Sequence, residues 1–318
     1  MKKYLLASAA AVALCLPHAA MACSACGCNL DTEDPTAGPG WTIDGRVDFV
    51  NQNQMWQGGG KADASLRDPS TGDNHEVQRN TTTLFYTTTV DYQSAGAWGL
   101  NVAVPFQYRT HSTYNSTNGD WASSKSEWNR LSDIRVLGRY TVWEDAGLSV
   151  LGGLKLPTGS NRMTFAGGAT GGQVVDRGLQ PGTGTWDVLV GLAQKGTITD
   201  DLSWFAQELF QRPVAKSNDF SEGQKLNVSV GLRYVLNEWL TPQFQFNAQN
   251  RWRDHGPSNQ ADIPNSGGEV IYASPGVFVN FSEGTSVYGF VQIPVYQRVG
   301  GLELVPGYSA SVGIKHKF

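Results

Sequence analysis

Apolar and polar residues alternate with a period of two along most of the chain. In "WTIDGRVDFV", Trp41, Ile43, Val47 and Phe49 fall on one side and Thr42, Asp44, Arg46 and Asp48 on the other. "LNVAVPFQY" sets Leu100, Val102, Val104, Phe106 and Tyr108 against Asn101, Ala103, Pro105 and Gln107. "LNVSVGLRYVL" sets Val228, Val230 and Leu232 against Asn227, Ser229 and Arg233, and "TPQFQFNAQN" sets Phe244 and Phe246 against Gln243, Gln245, Asn247 and Gln249. This is the signature of strands with two unlike faces. Helical spacing with caps is scarce, and past residue 22 no run approaches 18 apolar residues, so a membrane-spanning helix is not expected. The pattern predicts about twelve strands, near 41–56, 78–93, 97–110, 131–143, 147–157, 184–195, 201–212, 224–236, 239–252, 269–281, 286–298 and 307–318.

The connections alternate in length. Short turns fall at 94–97, 144–147, 196–200, 237–238 and 283–286; long polar loops fall near 57–77, 111–130, 158–183, 213–223, 253–268 and 299–306. Transmembrane barrels combine short periplasmic turns, longer external loops and an even strand count. A soluble sandwich would share the alternation but not this asymmetry. The expected fold is therefore all-β, a transmembrane antiparallel β-barrel of about 12 strands. Closure is needed because lipid offers no partner to an open sheet edge. The ten Trp and eleven Tyr suit interfacial girdles, with Trp41, Tyr92, Trp98, Trp143, Trp186 and Trp204 near strand ends. The last strand, "GYSASVGIKHKF", ends on Phe318 and resembles the closing strand read by the bacterial barrel-assembly machinery. That machinery and outer-membrane lipid are the expected partners.

The beginning of the chain reads as a secretory signal. Lys2 and Lys3 precede an apolar run from Tyr4 to Leu16, and Ala20-Met21-Ala22 is a cleavage site. The expected organisation is a signal peptide over 1–22, a periplasmic cysteine-containing tether over 23–40 and an outer-membrane barrel over 41–318. Losing Lys2 and Lys3 leaves 22 basic against 28 acidic residues, a net charge of about −6, and no nucleic-acid partner is expected.

The polar strand faces predict a lumen lined by Asp44, Arg46, Asp133, Arg135, Arg139, Lys155, Arg233, Gln243 and Gln245, with Asp48, Asp91 and Asp187 among them. Mixed charges and amides can hold water and small polar solutes. They can equally pair with one another and fill a narrow barrel, since twelve strands lie between filled small barrels and open porins. The glycine-rich stretch 167–186 has no GK[ST] and no following helix. It reads as an outer loop, with folding into the lumen left open.

"LSDIRVLGRYTVWEDAGLSVLGGLKLPTGSN" resembles a family of outer-membrane "transporter" barrels related to phenol-degradation meta-pathway proteins. The matching pieces are Asp133 and Ile134 opening a strand that ends in Arg139-Tyr140, then Leu156-Pro157-Thr158-Gly159; "SPGVFVNF", with Pro275 and Gly276, resembles a later element. A cysteine-rich start before "DGRVDFVNQNQ" is a further likeness, to a subgroup of that family. The resemblance implies a barrel and a transport role, and it supplies no substrate or catalytic residues.

The expected function is passive passage of a small solute, without catalysis. An alternative is a structural or partner-binding barrel serving metal handling or electron transfer. A third reading is an outer-membrane phospholipase-like enzyme. "THSTYNSTNG" offers His111, Ser112, Asn115 and Asn118, but adjacent His111 and Ser112 on a strand point to opposite faces, and H-x-S-N-G is absent. His75, His111 and His255 fall in predicted outer loops, near Asp73, Glu76 and Asp254, and read as solvated.

Three cysteines, Cys23, Cys26 and Cys28, stand together after the predicted cleavage site. C-x-x-C-H is lacking, so covalent haem is not indicated. Three readings stay open: a soft-metal site for copper or zinc or a redox handle, a disulfide with one thiol to spare, and lipid attachment at Cys23. The first brings in a periplasmic partner at the N-terminus.

Overall fold

The computed structural model describes residue 30 and residues 38–62, 76–117, 120–166, 171–257 and 261–318. The strands are β1 (Gly40–Gln57), β2 (Gly60–Lys61), β3 (Glu76–Gln93), β4 (Trp98–Thr117), β5 (Asp120–Leu131), β6 (Arg135–Trp143) and β7 (Leu148–Lys155). They continue with β8 (Asp187–Thr197), β9 (Leu202–Pro213), β10 (Lys225–Tyr234), β11 (Leu240–Arg251), β12 (Gly268–Ser282), β13 (Thr285–Val299) and β14 (Leu302–Lys317). Each pairs antiparallel with its neighbour, and β14 returns to β1, from Thr42↔Lys317 to Gln57↔Leu302. The sheet is closed.

The wall has twelve staves. β2 is a two-residue return onto the end of β1. β5 and β6 are one stave in two pieces, since β4 pairs with β6 from Trp98 to Ala103 and with β5 from Phe106 to Thr117. The break has a local cause. Pro105 of β4 has no N–H to give the ladder, and its carbonyl instead accepts from the Ser132 amide at 2.8 Å. Ser132, Asp133 and Ile134 leave the strand there.

The two faces follow the alternation. Val104, Phe106, Val190, Leu192, Val230, Leu232, Phe244, Phe246, Ile293 and Ile314 are exposed apolar residues on the outer surface. In water such a belt would be unfavourable; in lipid it is required. Exposed Trp41, Trp98, Tyr140, Trp143 and Trp239 ring the end that carries the short turns, and Trp41, Tyr92 and Trp98 pack in series at 4.7 and 5.1 Å. That end is the periplasmic rim of an outer-membrane barrel.

Two expected loops are corrected. Residues 111–130 are not a loop: β4 runs to Thr117 and β5 returns from Asp120, a hairpin rising above the barrel rim. Residues 299–306 shrink to the turn at 300–301, because Leu302–Val305 continue β14 onto β1 and Leu304 and Val305 are buried.

Candidate channel lumen

Inward side chains fall into three layers between the outer rim and the periplasm. The outermost contains the described parts of the loop 156–186, which fold into the barrel. Phe165, Val175 and Leu179 from this loop bury against Trp128 of β5, with Met163 beside them. Arg109 of β4 donates to the Leu179 carbonyl at 2.7 Å and to Thr83 Oγ1 at 2.8 Å. His111, expected in a solvated loop, is instead buried in the inner wall, 2.7 Å from Thr81 Oγ1 and packed on Phe165. Ser112 faces the other way, toward the Asn80 carbonyl. His111 and Ser112 therefore make no nucleophile–base pair.

The root of this loop is a clasp between the two stretches that carry the family likeness. Asp133 Oδ1 accepts from the Gly159 amide at 2.9 Å, and its Oδ2 accepts from the Thr183 amide and hydroxyl at 2.9 and 3.0 Å. Thr158 Oγ1 accepts from the Ile134 amide and donates to the Ser132 carbonyl. Gly159 and Gly182 pass so closely that a Cβ on Gly182 would lie 2.5 Å from Gly159 backbone atoms. Lys155 sits between Asp133 and Asp187 at 3.2 and 3.1 Å and donates to Thr183 Oγ1. Half-buried Lys225 holds Glu222 and buried Arg251 holds Asp254, the latter through two bonds from one guanidinium nitrogen. Burial alone would raise the Glu222 carboxyl, but Lys225, Arg251 and Lys155 hold it at about 2. Asp176 takes the Gly178 and Asp262 amides at 2.7 and 2.6 Å, and burial pushes it up to about 6.

The middle layer is packed: Leu151, Leu189 and Leu209 form an apolar cluster with Leu137 and Ala193 on one side of the wall, and the opposite side is polar. Gln243, Gln245 and Asn247 of β11 are buried. Asn247 donates to Ser229 at 3.0 Å and accepts from Ser274 at 2.7 Å, and Gln249 donates to Asn227 at 2.8 Å. Arg46 meets Asp48 at 2.9 Å, and Asp48 takes the Ser311 hydroxyl at 2.6 Å. Arg135 lies on β6 opposite Lys155 and Ala103.

The innermost layer is open. A vestibule of about 750 Å³ occupies the periplasmic end. Arg46, Arg139, Lys195, Arg233, Lys315 and Lys317 line it, against Asp44, Asp91, Glu238 and Glu283. Arg139 donates to Gln93 at 2.7 Å and lies 3.8 Å from Asp91. The wall here also carries a feature that the sequence reading missed: Phe278, Tyr288 and Phe290 point inward. Their signal was present, because 277–279 and 287–291 are apolar on both strand faces apart from glycine. Cys23, Cys26 and Cys28, and His75, lie outside the described residues; among the described residues no group of His, Cys, Asp and Glu is placed to hold a metal.

The same architecture occurs in an outer-membrane channel from Pseudomonas putida F1. The two are 12% identical over 91% of this chain and 100% of that one, with a TM-score of 0.64. The NanC porin (10% identity, 87% and 100% covered, TM-score 0.45) and a Pseudomonas aeruginosa FadL homologue (10%, 89% and 93%, 0.44) are more distant. No family model matches the sequence, and no curated protein sequence matches it significantly. At such identity the likeness is one of fold: this chain has the fold of outer-membrane channels, and its apolar belt places it in that membrane.

Proposed function

We propose that the barrel passes a small anionic or polar solute by passive diffusion. The observation that carries this is the charge of the vestibule. Six basic and four acidic side chains line it, although the whole chain has a net charge of −4. Excess positive charge in a low-dielectric enclosure concentrates anions. Planar-bilayer recordings of the refolded protein under a salt gradient test the reading. A reversal potential on the anion side is expected; cation selectivity would overturn it, as would silence of the refolded protein.

The kinship with the phenol-degradation barrels belongs to this reading, and so does the cleaved signal peptide. So does a role for Cys23, Cys26 and Cys28 as a periplasmic soft-metal or redox handle, with copper ranked before zinc. Thiolates favour soft ions, and this segment offers no evident fourth ligand for tetrahedral zinc. Metal content of the reduced protein against a triple Cys→Ser variant tests it; equal content in the two would remove the metal.

A further inference from the structure

Along the inner face of β6, Arg135, Leu137 and Arg139 succeed one another toward the periplasm. Arg139 lines the vestibule and is tied to Gln93 and Asp91. Leu137 packs on the cluster of Leu151, Leu189 and Leu209. Arg135 differs from both. It is half-buried in the wall, and among the described residues no hydrogen bond or ion pair reaches its guanidinium.

The carboxylates that could match Arg135 are engaged elsewhere. The charged groups beside it are Arg46 and Asp48. Arg135 stands eight residues from the end of its stave at Trp143, and Asp48 seven from Trp41. At ~3.3 Å per residue and a tilt near 40°, both lie roughly 18–20 Å above the periplasmic rim. Asp48 is already taken by Arg46 at 2.9 Å and by the Ser311 hydroxyl at 2.6 Å. Lys155, across from Arg135 on β7, holds Asp133 and Asp187 instead. Two guanidinium groups thus share one carboxylate, and one positive charge of the three-residue group is left unmatched at mid-depth. A charge held out of bulk water without a partner is costly, and the like charge of Arg46 adds to the cost. Such a group inside a membrane protein marks the path of an ion.

We propose that Arg135 is a binding step for the carboxylate of a small, singly charged organic anion at the inner end of the vestibule. The chemistry selects the class. A guanidinium presents two parallel N–H donors that match the two oxygens of a carboxylate, whereas a halide accepts at one point. One negative charge balances the surplus of Arg46, Asp48 and Arg135. Arg46 itself lines the vestibule, so the site lies next to the space where the vestibule cations concentrate anions. The step deepens the channel reading and rests on it for passage; binding at Arg135 does not need conduction.

Two measurements on the full chain test it, with folding checked by heat-dependent gel mobility. In the first, the refolded wild type is treated with phenylglyoxal, which modifies guanidinium groups, and the adducts are located by mass spectrometry. Sodium acetate should slow modification of Arg135 severalfold relative to sodium chloride at the same concentration. No adduct at Arg135, or equal rates in the two salts, overturns the site. In the second, bilayer recordings give the acetate-to-chloride permeability ratio. Arg135→Gln should change it severalfold, and so should Arg135→Lys, which keeps the charge and loses the fork. An unchanged ratio in both variants, in a channel that conducts anions, overturns the binding step and leaves the channel reading standing. Protection by acetate together with a silent wild type keeps the site and removes the channel reading.

Discussion

Replacing Asp133 with Ala should release the inward-folded loop while leaving the barrel closed. Three hydrogen bonds end on this carboxylate, and it lies 3.2 Å from Lys155. Bonds to a charged group contribute about 1.5–3 kcal/mol each, so a simple sum would approach 5–9. The true figure is smaller for two reasons. The Gly159 and Thr183 amides regain water once the loop lifts, and Lys155 keeps Asp187 at 3.1 Å, so no isolated charge is left buried. Loss of about 3–5 kcal/mol of local docking free energy is expected, comparable to breaking one buried pair. Every 1.4 kcal/mol is about tenfold in an equilibrium, so loop amides should exchange hydrogen at least roughly a hundredfold faster. Exchange read by mass spectrometry over 156–166 and 171–186 measures this, with β10 and β11 as reference. Asp133→Asn, which keeps a carbonyl acceptor, should fall between. Wild-type exchange in the loop of the Ala variant would refute the clasp. Equal loosening of β10 and β11 would show that Asp133 holds the wall and not the loop.

Val230 is 48% exposed on the lipid face, so Val230→Arg should cost roughly 2–4 kcal/mol of folding into bilayers, whereas Thr89→Arg at the vestibule should be nearly silent in urea titrations. Ser229→Arg is no gentle control, since Ser229 is 4% exposed and bonded to Asn247, and overpacking there costs about 1–3 kcal/mol. Arg139→Gln with Arg233→Gln should shift the reversal potential toward cations; an unchanged potential would mean these residues do not set selectivity. Asp176 binds its proton more tightly when docked, near 6 against an ordinary 3.8. Docking of its turn is therefore favoured fully below 3.8 and loses that contribution as pH rises through about 6. Loop exchange should speed up over that window, and Asp176→Asn should abolish the step.

The outer face was legible in the sequence because lipid imposes one rule on every stave: alternate residues must be apolar. Val104, Val230, Phe244 and Phe246 obey it and are exposed in the barrel belt. The rule lapses above the membrane. Residues 111–130 have few apolar positions, and Tyr114, Trp121, Ala122 and Trp128 do not alternate, so their strands gave no periodic signal, and His111 was placed in solvent though it packs under Phe165. The turn at 300–301 was overextended because Gly300, Gly301 and Pro306 suggest a loop, while their partners on β1 keep Leu302–Val305 in the sheet. The inward aromatics Phe278, Tyr288 and Phe290 and the leucine cluster around Leu189 were missed for the opposite reason: a polar lumen was assumed, so apolar residues on the inner face carried no weight.

The two ends of the lumen are held by different chemistry, and this decides which end can move. At the outer end, buried ions and backbone amides are tied in one network around Asp133, Lys155 and Asp187. Opening it exposes charges that were matched to one another, and the partly broken states are worse than either end state. At the periplasmic end the contact described is one leucine on three rings. Burying a leucine side chain is worth about 1.5–3 kcal/mol, and separating it from three rings leaves no buried charge unmatched. The Leu30 contact is therefore looser than the outer clasp, where Lys155 and two carboxylates must come apart together.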